Sequence, residues 1–175
     1  MLAMAAKGKW AQGITPRNFT WIIKDQIAIS ERPGGYAQNH RKVRRQEEII
    51  WIREQGFAFV VSIIPSSHNL HNYDEFSVAW KHRPYGIHED HTEMLGNLFP
   101  EMKEWISTGR KVLFHQEEVN DRLCGIMAGY LLWDGLVSTG PEAIAITEHI
   151  TSRQLGPLGR EQVSVALALR AKRTA

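Results

Sequence analysis

The chain has 175 residues, 43% hydrophobic and 23% charged, the composition of an ordinary globular chain long enough for one domain with a real core. Its formal net charge of +2 is too small to predict a nucleic-acid or membrane partner. A single cysteine, Cys124, excludes an internal disulfide, suits a cytoplasmic location and is expected to pack inside; no run approaches the roughly 20 apolar residues that span a bilayer.

Residues 1–16 hold no apolar run of signal-peptide length and read as a flexible leader, with 17–175 as one domain. Trp21–Lys24 and Gln26–Ser30 read as two short strands around Asp25, and Arg32-Pro-Gly-Gly35 as a turn. His40–Gln55 is predicted as a helix with Val43, Ile49, Ile50 and Ile52 inward and Gly56 as its stop. The continuous apolar run Phe57–Ile64 predicts a central parallel strand. A short helix over 72–79 and a strand over Lys81–Tyr85 follow. Thr92 is placed to cap a helix carrying Met94, Leu95, Leu98, Phe99, Met102, Trp105 and Ile106, which Pro100 should kink or divide. Leu123, Ile126, Met127, Tyr130 and Leu131 line the next helix. Pro141 opens another, and Gly156-Pro157 separates it from a last one near Gly159–Lys172. Strands alternating with helices give an α/β domain with a largely parallel sheet, where crevices form at the carboxyl ends of strands.

The segment with most chemical content is 111–131. The strand Val112-Leu113-Phe114 runs into His115; Gln116, Glu117, Glu118, Val119, Asn120 and Asp121 follow, then Arg122 and a helix. This layout resembles the signature of the dual-specificity and protein tyrosine phosphatases. In that signature a His-Cys pair, five loop residues and an Arg wrap one phosphate ahead of a helix. Three further blocks are similar to small atypical dual-specificity phosphatases: 19–34, ending in Ser30-Glu-Arg-Pro33; the run Ala58–Ile63; and Tyr85-Gly-Ile-His-Glu-Asp90, whose Asp90 takes the general-acid position. The resemblance covers roughly residues 17 to 152. It implies a central, mostly parallel twisted sheet of about four or five strands flanked by helices.

For activity the resemblance points the other way. In that chemistry a thiolate attacks phosphorus, loop N–H groups cradle the oxygens, and the Arg grips two of them. Gln116 stands at the cysteine position, and an amide nitrogen is not basic. Val119 replaces a glycine, where a left-handed backbone would be strained. Leu123 replaces a hydroxyl residue. Glu117, Glu118 and Asp121 set three carboxylates against Arg122 where a phosphate would sit, and Arg122 is expected to pair with one of them.

The expected function is a pseudophosphatase: a binding or scaffold module for a protein partner or a non-phosphate ligand, without catalytic residues or a cofactor. The alternative is a non-thiol hydrolase using Asp90, Glu117, Glu118, His88 and His115, with metal help if His88, His91 and Glu117 gather, neighboured by His82. The basic run His40-Arg-Lys-Val-Arg-Arg45 ahead of Glu47 and Glu48 has two readings: a solvated helix face laced with ion pairs, or a site for an acidic partner. Trp21, Trp51, Trp80, Trp105 and Trp133 are scattered along the sequence and are expected in core or pocket walls.

Overall fold

A computed structural model describes residues 12–175. Most of the expected leader lies outside these residues; of its last positions, Ile14 donates its N–H to the Glu47 carbonyl at 3.1 Å and Pro16 is buried.

Five strands form one sheet: β1 (Thr20–Ile23), β2 (Ile27–Glu31), β3 (Phe59–Ser62), β4 (Trp80–His82) and β5 (Val112–Gln116), in the order β1-β2-β5-β3-β4. Only the β1–β2 pair is antiparallel; β2–β5, β5–β3 and β3–β4 run parallel. β5 is therefore the middle strand, and β3, buried between the parallel β5 and β4, is an interior strand as its apolar run predicts. The helices are α1 (Lys42–Glu54), α2 (His91–Ser107), α3 (Asp121–Trp133), α4 (Gly140–Thr151) and α5 (Pro157–Thr174), with a 3-10 helix at Leu70–Phe76.

Strand alternation divides the core in two. Ile27, Ile29, Phe59, Val61, Val112 and Phe114 face α2 and α3, joined by Leu95, Phe99, Met102, Leu123, Met127 and Tyr130. Ala28, Val60 and Leu113 face the other way, onto Ile49 and Ile52 of α1 and onto Leu70 and Tyr73. β5 is buried along its whole length, as a middle strand covered on both faces must be.

Several sequence expectations are corrected. Val43 is 70% exposed; it lies in the first turn of α1, and apolar burial in that helix begins at Ile49. Asp90, not Thr92, caps α2, its carboxylate accepting the Glu93 N–H at 2.8 Å. Pro100 neither ends nor divides α2, which continues to Ser107; it lies on the exposed face, where water can solvate the carbonyl it leaves unpaired. The aromatics are not scattered in space. Phe19, Trp21, Trp51 and Phe57 pack together, with Trp21 stacked on Phe57 at 5.6 Å, and Phe99, Tyr130 and Trp133 form a second group.

Candidate functional site

The parallel strands all end on one side. Glu31 and Arg32, Gln116 and Glu117, Ser62 to Ile64, and His82 and Arg83 come together there. β5 delivers the loop 117–120 to α3, and the neighbouring chain ends pin it: the Arg32 N–H donates to the Glu117 carbonyl at 3.4 Å, and the Ile63 N–H to the His115 carbonyl at 3.1 Å. Asn120 closes the loop by capping α3, its Oδ1 accepting the Leu123 N–H at 3.0 Å.

Within this frame each loop side chain has a specific destination. His115 points to the α1 side, buried, with Nε2 3.1 Å from the Tyr73 hydroxyl. Burial, then the charge of Arg32, pushes its pKa down to about 3, so the ring is neutral. Gln116 alternates to the opposite side and is 6% exposed. Its Oε1 accepts the N–H of Glu117 at 3.1 Å, so a side chain of the loop occupies a donor that an anion would otherwise use.

Glu117 and Glu118 are exposed. Glu117 reaches Arg32 at 3.9 Å, and Glu118 accepts from the Tyr36 hydroxyl. That contact raises the Tyr36 pKa, with smaller contributions from burial and from the charges of Glu118, Glu31 and Glu117.

Three expectations about the loop fail. Val119 is not in the left-handed region; it is 2% exposed and belongs to the core beside Leu123 and Cys124, so it anchors the loop without backbone strain. Asp121 does not contribute a charge to the ring. Its carboxylate turns to the start of α5, accepting the N–H of Gly156 at 2.8 Å and of Gly159 at 2.9 Å, where the helix dipole favours it. Arg122 pairs with no loop carboxylate. Its Nη1 donates to the Tyr85 carbonyl at 2.6 Å, its guanidinium sits 5.0 Å from the Tyr85 ring centroid, and its Nε is buried without a partner. Cys124 is buried as expected, and burial raises its thiol pKa.

The other candidates lie apart from the loop. His88 and Asp90 line an exposed hollow with Glu89, Glu93, Met94 and Asn97. His91 bonds the Tyr85 hydroxyl through Nδ1 and approaches Glu161 at 3.7 Å. His82 reaches the Ile64 carbonyl at 2.6 Å. Among the described residues no three His, Cys, Asp or Glu are grouped to hold a metal ion, and no helix is long and apolar enough to cross a membrane.

Two groups escaped the sequence reading. Tyr85, fully buried, is a hub: its carbonyl and ring hold Arg122, and its hydroxyl meets His91 and the Gln162 amide. Gln162 of α5 also donates to the Arg122 carbonyl at 3.3 Å. Neither has a local sequence signal, because both act across 37 to 77 residues of chain.

No protein-family model matches the chain, and no curated protein matches it in sequence. Solved structures do. A kinase associated phosphatase carrying serine for its catalytic cysteine superposes with a TM-score of 0.71 at 17% identity, over 92% of this chain and 98% of that one. Tk-PTP in its active form gives 0.68 at 18%, over 89% and 97%. A mouse putative dual specificity phosphatase, complexed with zinc tungstate, gives 0.65 at 14%, over 99% and 97%. The chain has the fold of the dual-specificity and protein tyrosine phosphatases, its five-stranded sheet flanked by helices as in those structures.

Proposed function

We propose that this chain is a pseudophosphatase, a phosphatase-like fold that binds and does not turn over. The observation that carries the reading is at the end of β5. The residue leading into the loop is Gln116, whose side chain is spent on the Glu117 N–H at 3.1 Å. No thiol stands there: Cys124, the chain's one cysteine, is buried in α3. An amide has no lone pair basic enough to attack phosphorus. The residue expected to grip the oxygens, Arg122, is engaged by the Tyr85 carbonyl.

The hydrolase alternative gains no support from the geometry. Asp90 caps α2, His115 is buried and neutral, Glu118 meets Tyr36, and His88 lines a separate hollow. The cytoplasmic location, and a protein partner or a non-phosphate ligand at the altered loop 116–122, belong to the same proposal.

The test is turnover of an aryl phosphate and of a phosphotyrosine peptide by purified protein. Rates equal to buffer are expected. Hydrolysis that survives in Arg122→Ala and Asp90→Asn marks a contaminant. Hydrolysis that both substitutions abolish overturns the reading.

A further inference from the structure

We infer that the chain holds a phosphate-group site beside the altered loop, in the cleft between the β2–α1 segment and the residues after β3. An open hollow of about 340 Å³ is lined there by Arg32, Tyr36, His40, Arg45, His68 and Asn69. Beside it a narrow pocket of about 10 Å³, room for one water, shares Arg32, Arg45, His68 and Asn69 and adds Ser62, Tyr73 and His115.

Three observations support an anion there. First, the cations are left under-neutralised. Arg45 has no carboxylate partner among the described residues; its Nη1 meets His40 Nε2 at 3.2 Å, so that nitrogen accepts and His40 is neutral. Arg32 has only the loose 3.9 Å approach of the exposed Glu117 and a 2.9 Å bond to the His68 carbonyl. Second, Arg45, which lines both spaces, has a buried Nε without a hydrogen-bond partner. Such a group is costly unless something pairs with it. Third, basic residues crowd the wrong end of a helix. α1 begins at Lys42 with no side-chain cap and no acid in its first turn, whereas the dipole there favours negative charge. The lowered pKa of His40, caused by burial and then by Arg45, Arg32, His68 and Arg44, reports the same crowding of positive charge. Glu117 and Glu118 stand at the loop edge of the hollow, against its lining residues Arg32 and Tyr36.

The ligand class is a tetrahedral phosphate dianion, free or esterified. Its recognition is independent of turnover, so the site stands or falls apart from the pseudophosphatase reading. The test is calorimetric titration of the full chain with inorganic phosphate and with phenyl phosphate. Saturable binding of either is expected, tighter for phenyl phosphate if the site takes esters and equal or tighter for inorganic phosphate if it takes the free ion. Arg45→Gln and His40→Gln, each verified as folded by circular dichroism, should weaken binding, Arg45→Gln by at least about tenfold, the scale of one lost charge-assisted bond. Arg122→Lys should leave it within about twofold. Absence of saturable binding overturns the proposal. So does loss in Arg122→Lys with retention in Arg45→Gln, which would return the anion to the β5–α3 loop.

Discussion

Arg122 and Tyr85 hold each other twice: Nη1 donates to the Tyr85 carbonyl at 2.6 Å, and the guanidinium lies 5.0 Å from the ring centroid. A side chain that the motif would spend on an external anion is spent on the segment between β4 and α2. Arg122→Ala should therefore lower stability by about 2–3 kcal/mol, a charged hydrogen bond plus a partly desolvated cation–π contact. Tyr85→Phe keeps the carbonyl and the ring and should cost less. Denaturant melts of both variants check this; an unchanged Arg122→Ala midpoint refutes it.

Supplying the missing thiol should not by itself create a phosphatase. Gln116→Cys frees the Glu117 N–H but leaves Arg122 on Tyr85 and the exposed Glu117 and Glu118 beside the loop. Nearby carboxylates also disfavour a thiolate. The variant should show no vanadate-sensitive hydrolysis of an aryl phosphate above wild type. Robust hydrolysis would mean that Arg122 swings back at little cost.

Asp121 should matter more than a surface acid. Its two oxygens take the N–H groups of Gly156 and Gly159 at 2.8 and 2.9 Å. Asp121→Ala leaves both donors with no side-chain acceptor and should cost about 1–2 kcal/mol, as loss of a helix cap does. Asp121→Asn keeps one strong acceptor and should lose less. Chemical melts rank the two, and equal costs would refute the capping role.

His115 gives the fold a dependence on pH. Its folded pKa, pushed down to about 3 by burial, lies well below the ordinary imidazole value of about 6.5. The unfolded chain therefore binds the extra proton first. Its contribution is fully present above about pH 6.5 and is lost as pH falls toward 3, with a total on the order of a few kcal/mol. The part between pH 6.5 and 5 precedes most carboxylate titration. His115→Asn should flatten the stability curve in that interval relative to wild type. Parallel curves would show that the imidazole does not carry the effect.

How far the sequence reached can be seen at the loop itself. The apolar run into His115, the spacing to Arg122 and the helical stripe after it are local, and the strand, turn and helix appear where they predict. The endpoints of the side chains are not local. Asp121 is four residues from Glu117, yet it serves α5 while Glu117 faces Arg32. Charge counting along the loop cannot separate them, because the direction of each side chain is set by which remote element packs above it. Val119 failed for a related reason. A glycine position in a related motif predicts a left-handed backbone, but this loop holds a different path, and the side chain goes to the core. Val43 shows the limit of periodicity, which marks a face of a helix without saying how much of that face meets a partner.

The tie between α3 and α5 has a consequence for how the chain is made. Asp121, Arg122 and Tyr85 are all completed by Gly156, Gly159 or Gln162. These partners follow β5, the loop and α3 in the chain, so they leave a ribosome after them. A nascent chain halted before α5 has its central strand and loop but not the groups that fasten them from behind. Maturation of the cleft is thus timed by the arrival of α5, and damage to that helix would be felt at the loop.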